Sequence, residues 1–442
     1  MNNLREVLTV IPPQRICLVS NEISISYGDI ETIIHNNRDV IENLKLSNIV
    51  INGRGRLEFS KLLFLLDGEV NSILFLPKDI DSSLHDKYYK ESNANYEVFL
   101  ENNVLKYNII KEVKKQNSFQ ETTWIIPTSG TTNMPKLVVH TFQSLTRTVK
   151  GDIEKGKYYR WGLVFDIYRF SGLQVFLQAM ISGSTLIVSE SDMSMTETLN
   201  NLIKNNCHAL SATPTFWRKV MMSKEANSLD FKVITLGGEI ADENILQALK
   251  TKFSDAKILH IYASTEAGVG FSVNDAHAGF PYKYIENDIN GIILKLSDTN
   301  TLMIKNKQQI QKYLTTNDLY KEDGFIDTGD IVEIKNERVY FLGRDSGAIN
   351  VGGNKVQPEE VENILISFSL IHAAFVYAKK NPMMGSIVCA DIVLSDNIID
   401  KKIAKSEILK FCREKLENFK IPAIVKFVNE LETTYSGKLK RN

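Results

Sequence analysis

Residues 127–136 read Pro-Thr-Ser-Gly-Thr-Thr-Asn-Met-Pro-Lys. They follow Trp124-Ile125-Ile126, an apolar and β-prone stretch, so the run reads as a loop leaving a buried strand. Hydroxyls stand at Thr128, Ser129, Thr131 and Thr132, a cation at Lys136, and Gly130 permits a tight turn. Backbone N–H groups in such a turn form a concave donor nest for anions, and the whole set suits a polyphosphate. The same composition also builds ordinary solvated turns. It is not the common phosphate loop, because no Gly-Lys-Ser/Thr ends it.

Working outward, short β-prone runs alternate with helical patterns. Residues 49–51, 72–76, 185–188, 233–236 and 258–262 read as strands, and 196–206 carries apolar residues on one helix face. This alternation predicts an α/β architecture with layered, buried, mostly parallel sheets. After about Asp327 the texture changes. Hairpin-like strands at 331–334 and 338–341 precede Gly343-Arg344-Asp345-Ser346-Gly347, the best boundary candidate. A helix over 358–367 starts with Pro358 in its first turn and Glu359, Glu360 and Glu362 toward its N-terminal dipole. Strands at 373–377 and 387–393 and a helix over 405–417 complete a small α+β unit. The expected division is a large domain over 1–343 and a small mobile lid over 344–442.

Composition narrows the function classes. At 442 residues the chain can bury large cores, and 43% hydrophobic against 24% charged residues is ordinary globular usage, not disorder. A net charge of −1 gives no field to recruit nucleic acid or an anionic membrane. Lys111, Lys114 and Lys115 cluster, but such runs are usually solvated faces. Cys17, Cys207, Cys389 and Cys412 are scattered, which predicts neither a disulfide framework nor a zinc site and suits a reducing compartment. With no apolar run near ~20 residues and no signal-peptide pattern, the expectation is a cytoplasmic protein without a membrane span.

Four further segments carry chemistry. Gly237-Gly238-Glu239 follows a strand, and paired glycines let a flat ligand lie against the backbone. Tyr262-Ala263-Ser264-Thr265-Glu266 ends another strand, where open α/β sheets place ligands. Asp327-Thr328-Gly329-Asp330 and the terminal Ser436-Gly437-Lys438-Leu439-Lys440-Arg441 complete the series. Each has a plain alternative: a turn, a helix cap, a hairpin turn and a basic tail. Their order carries more than any one of them. Between Thr123 and Arg441 it resembles the adenylate-forming superfamily of acyl- and aryl-CoA synthetases, peptide-synthetase adenylation domains and luciferases. Residues before Thr123 match no segment of that pattern.

The resemblance implies an ATP- and Mg²⁺-dependent carboxylic acid–thiol ligase acting through an acyl-adenylate. CoA is the expected acceptor. The alternatives are loading of an acyl or amino acid onto a carrier protein's phosphopantetheine, or a catalytically silent nucleotide-binding scaffold. It implies that Thr128, Ser129, Gly130, Thr131, Thr132 and Lys136 wrap the β- and γ-phosphates. Tyr262 stacks on adenine beside Gly238 and Glu239, and Asp330 and Arg344 hold the ribose. Thr265 holds the α-phosphate, Glu266 the Mg²⁺, and Lys438 bridges the acid and the α-phosphate. Two anions must meet, so charge and positioning dominate such chemistry, and lysine is a compact point charge for it.

Several positions depart from the pattern. Asn133 and Leu137 stand where glycines are usual, and Ser346 stands where the hinge Asp falls, with Asp345 one residue early; the pair is the expected hinge. In the acid-pocket segment 165–174, the Asp that amino-acid-activating relatives use falls on Phe170, which disfavours an amino acid substrate; a local gap would bring Asp166 into that place, so Asp166 stays among the acid-pocket candidates with Arg169, Phe170 and Phe271. Arg169 replaces a frequent histidine, either to pair with a second substrate carboxylate or to face solvent. Phe170, Leu173, Phe216, Trp217 and Phe271 are candidate apolar walls, though buried aromatics more often form core.

Overall fold

The computed structural model describes residues 1–112, 121–128, 135–307, 312–315, 319–321, 323–381, 384–395, 400–433 and 439–440. These residues form four sheets. In the first, strands Asn48–Asn52, Ser72–Leu76, Thr123–Pro127 and Tyr96–Glu101 run parallel. Leu137–Thr141 adds antiparallel to Thr123–Pro127, with the short Lys312–Tyr313 antiparallel at the edge beyond it, and Val104–Ile109 closes the other side against Tyr96–Glu101. The second sheet has six parallel strands from Ile16–Ser20 through Lys257–Ser264, with antiparallel edges at Ile23–Ser26 and Gly268–Val273.

Local sequence dictates many boundaries. Ser194 caps the helix Met195–Lys204 in a reciprocal box with Glu197, so it starts one residue before the 196–206 pattern. Thr213 caps Pro214–Met222, with Pro214 in the first turn where its missing N–H costs nothing. The central strands are buried on both faces: Ser72–Leu76 is buried at every residue. One apolar cluster joins both sheets through helices Arg56–Leu66 and Phe170–Ile181. Arg56 reinforces that seam, donating to the Val164 carbonyl at 2.9 Å and to that of Ser189, while Glu190 accepts from the Arg56 and Leu57 amides at 2.7 and 3.0 Å.

The mostly parallel expectation holds for these two sheets only. A third, five-stranded sheet is antiparallel throughout: Ile292–Leu296, Thr301–Asn306, Ile326–Lys335, Arg338–Arg344 and Phe280–Pro281. Beyond it, residues from Ile349 to Val425 build their own apolar cluster on a fourth sheet, with helices Pro358–Ile366 and Lys401–Lys415. The fold is thus mixed α/β, with a large N-terminal and a smaller C-terminal part.

Candidate active site

The loop quoted first is anchored at both ends. The Thr128 amide donates to the Lys136 carbonyl at 2.8 Å, and the Lys136 amide donates back to Thr128 Oγ1 at 3.2 Å. Tyr88 donates to the Pro135 carbonyl at 3.0 Å. Arg169 is the strongest clamp: Nη1 donates to the carbonyls of Pro127 (3.2 Å) and Thr128 (3.0 Å), and Nη2 pairs with Asp79 at 2.8 Å. This corrects both readings of Arg169, whose fork already faces a carboxylate of its own chain. Ser129, Gly130, Thr131 and Thr132 lie outside the described residues, as does Lys438.

A cleft of about 2110 Å³ opens beside this loop base. A drug-sized ligand fills roughly 300–1,000 Å³, so the space admits a nucleotide together with a second substrate. Thr128, Arg169 and Phe170 lie on one side. Gly238, Glu239, Thr265 and Glu266 come from strand ends of the second sheet, and Asp330 and Arg344 from the third.

Asp330 organises one corner. Its carboxylate accepts from the Tyr262 hydroxyl at 2.5 Å and from Arg344 Nε at 3.0 Å. Burial, then the Asp330 charge, pushes the Tyr262 phenol well above its ordinary value. Burial disfavours the Arg344 charge, but Asp330, Tyr262 and Glu266 outweigh that and raise the guanidinium. The Tyr262 ring stacks with Phe271 (centroids 5.2 Å, 15°) and with Phe341 (5.1 Å, 6°). It is half-buried and lines the cleft, so these rings fix its plane at the wall where the adenine was expected.

Lys136 covers the Tyr313 ring, and the Glu266 charge acts on the same phenol. Lys136 Nζ sits 4.6 Å from that ring's centroid, and burial followed by the Glu266 charge pushes the Tyr313 phenol up to about 12. The Glu266 charge thus reaches both Tyr313 and Arg344. Among the described residues no cluster of three or more His, Cys, Asp and Glu gathers as a metal cage. A Mg²⁺ carried on phosphates needs only one or two carboxylates, a need Glu266 meets.

Two acid-pocket expectations change. Asp166 is off the cleft wall, buried against Arg56 and Arg169, its Oδ1 accepting from the Tyr168 amide at 3.1 Å; burial raises its carboxyl. Phe271 touches the cleft but packs mainly in an aromatic cluster with Phe280 and Tyr284. Trp217 is core, its indole N–H donating to the Thr235 carbonyl at 3.1 Å. Phe170 does line the cleft, 5.7 Å from the His140 ring.

His140 was missed by the sequence reading. It lies at the end of Leu137–Thr141, fully buried, with Nε2 2.8 Å from the Thr265 carbonyl and Nδ1 3.2 Å from Ser144 Oγ. A carbonyl opposite Nε2 fixes the proton there, and burial pushes the imidazole down to about 4. It therefore holds the Thr265–Glu266 turn as a neutral donor. A lone histidine four residues past Lys136 gave no sequence signal for that long-range partner.

This arrangement of strand ends around one cleft, closed by a small C-terminal part, defines an adenylate-forming ligase. The chain belongs to the AMP-binding enzyme family, matched over residues 65–301, more than half its length. Residues 360–438 match the AMP-binding enzyme C-terminal domain. It is an AMP-forming acid–thiol ligase of the acyl-CoA synthetase kind. A 2-succinylbenzoate–CoA ligase of Bacillus subtilis (strain 168) is 26% identical over 348 residues, 75% of this chain and 70% of that one. In structure, an anthranilate CoA ligase bound to anthranoyl-AMP aligns with TM-score 0.80 at 15% identity, covering 99% of this chain and 95% of the other. The o-succinylbenzoate CoA synthetase of Bacillus subtilis, in complex with ATP and magnesium ion, aligns at 0.72 and 19%, covering 99% and 98%. These alignments include the N-terminal region that carried no recognisable motif. Among the described residues no helix is long and apolar enough to cross a membrane.

Proposed function

We propose that the cleft joins a carboxylic acid to ATP and passes the acyl-adenylate to CoA. The acid's carboxylate oxygen attacks the α-phosphorus and pyrophosphate leaves; the CoA thiol then attacks the acyl carbon and AMP leaves. The observation that carries this reading is the meeting of the Asp330–Arg344 pair with Thr265 and Glu266 on one wall. In it, Asp330 and Arg344 hold the ribose, with Tyr262 fixing Asp330 through its hydroxyl. Thr265 faces the α-phosphate, Lys136 and the 128–132 loop hold the outer phosphates, and Lys438 neutralises the α-phosphate. Glu266 holds Mg²⁺, which when bound supplies charge neutralisation on the departing pyrophosphate.

The named activity of the curated relative supports CoA over a carrier protein. One cleft residue bears on the acid. Arg147 donates to the Val269 carbonyl, and no carboxylate among the described residues pairs with it. An acid with a second anionic group suits that wall better than a plain alkyl chain, and the relative's 2-succinylbenzoate is such an acid. We place the domain division at 343/344 with Asp345 and Ser346 as hinge, supported by the separate apolar cluster beyond Ile349.

ATP–pyrophosphate exchange over mono- and dicarboxylic, aliphatic, aromatic and amino acids tests the reading. Exchange should appear with one acid class and be lost in Lys438→Ala and Glu266→Gln, by about 10²-fold or more for a group contacting the transition state. Exchange with no acid, despite ATP binding, would overturn it in favour of a silent scaffold.

A further inference from the structure

Glu239 stands in a cleft that must accept a triphosphate, a poor place for an anion unless its carboxylate is needed there. Its surroundings show the need. Gly238, at φ +81°, turns the chain sharply after strand Val233–Gly237 and sets the Glu239 side chain toward the cleft. Glu239 Oε2 accepts from the Thr215 amide at 3.0 Å, in the first turn of helix Pro214–Met222. That bond fixes one oxygen and aims the other. Oε1 accepts from the Leu439 amide at 2.9 Å, across 200 residues of chain. Leu439 lines the cleft, pairs with Thr433 as an antiparallel bridge, and the Lys440 amide donates to the Glu432 carbonyl at 3.1 Å. The tail's described residues are thus tied to one another and, through one charge-assisted bond, to the large domain.

Leu439 directly follows Lys438. We infer that Glu239 is a positioning residue for the C-terminal tail, holding it so that Lys438 serves the adenylation step, rather than a ligand of ATP. This rests on the ligase reading above. It makes a particular demand: if the hinged lid carries the tail out of the cleft before the thiol step, as the resemblance implies, the bond assists adenylate formation and not the thiol step.

The two half-reactions separate the possibilities. Glu239→Ala should lower the kcat of ATP–pyrophosphate exchange by about 10- to 100-fold, the worth of one hydrogen bond to a charged group. The KM for ATP should stay within about twofold, and thioester formation from supplied acyl-adenylate and CoA should be unchanged. Leu439→Pro deletes the same N–H while leaving the carboxylate in place, and should reproduce that split. Because both remove one bond, the double variant should be no slower than the worse single one. Glu239→Gln, which keeps an acceptor oxygen, should recover part of the rate. A raised KM for ATP with kcat intact, equal loss in both half-reactions, or additive losses would overturn the inference and leave the ligase reading standing. Absence of exchange in the unsubstituted protein would remove both.

Discussion

Arg169 shows how one side chain links packing to phosphate handling. Its side chain is 12% exposed, and its fork is shared between Asp79 and the two carbonyls that end the strand before the 128–132 loop. Arg169→Met preserves the apolar stem but leaves those carbonyls and the exposed Asp79 carboxylate without their donor. An exposed ion pair adds little, so the two carbonyls dominate and about 1–2 kcal/mol is expected. The unfolding midpoint in urea should fall accordingly, and the KM for ATP should rise several-fold as the loop base loosens. If the variant is destabilised yet keeps its KM for ATP, Arg169 is a packing residue and the loop is held by Thr128, Lys136 and Tyr88 alone. The sequence placed Arg169 beside the pocket, but its partners lie 41 to 90 residues away, beyond the reach of local spacing.

Elements meet the site through close approaches that only certain residues allow. Helix Phe170–Ile181 runs against the segment before it, and a Cβ on Gly172 would sit 2.2 Å from the Asp166 carbonyl oxygen and 2.7 Å from Ile167 Cα. Backbone atoms cannot yield as a flexible side chain does. Gly172→Ala should therefore cost about 1–3 kcal/mol, as overpacking does, despite alanine's better helix propensity. It should also shift Phe170 at the helix start and weaken acid binding; a stability equal to wild type would show that the helix slides freely. Strands buried on both faces were legible because their short runs are rich in apolar and β-branched residues, as at 72–76 and 233–236. The third sheet was less so. Strand Ile326–Lys335 opens with Ile-Asp-Thr-Gly-Asp, which reads as a turn, yet Asp330 pairs with Arg344 in register and Gly329, at φ +67°, precedes the bulge at Ile331/Val332. Likewise Thr265 and Glu266 sit between two antiparallel strands, not at a helix start. Motif order marked this wall of the cleft; the partners Phe341, Tyr313 and His140 required the tertiary fold.

At the scale of the molecule, two buried groups, Asp67 at the end of helix Arg56–Leu66 and His140 on strand Leu137–Thr141, set opposing pH dependences. Asp67 accepts from the Leu4 amide at 2.6 Å and the Trp124 indole at 2.9 Å, and burial pushes its carboxyl up to about 6. Trp124 is the cross-strand partner of His140, whose imidazole burial pushes down to about 4. Both therefore report on the same cooperative unit. Between about pH 4 and 6 the folded chain keeps a proton on Asp67 that the unfolded chain has released, so this group's contribution falls as pH rises. Between about pH 6.5 and 4 the unfolded chain protonates its histidine while the folded chain does not, so His140's contribution falls as pH drops. Each amounts to something on the order of 3 kcal/mol across its window, and they nearly cancel. Removing one should expose the other. Relative to wild type, Asp67→Asn should become progressively less stable as pH is lowered from 6.5 to 4, whereas His140→Gln should become progressively more stable. Comparing each variant with wild type at every pH, by urea unfolding followed through tryptophan fluorescence, subtracts all the carboxylates they share. Differences that stay constant from pH 4 to 7 would mean that neither group is held away from its ordinary titration. Opposite slopes would mean that the neutral imidazole gripping Thr265 comes at a stability cost in acid that Asp67 offsets.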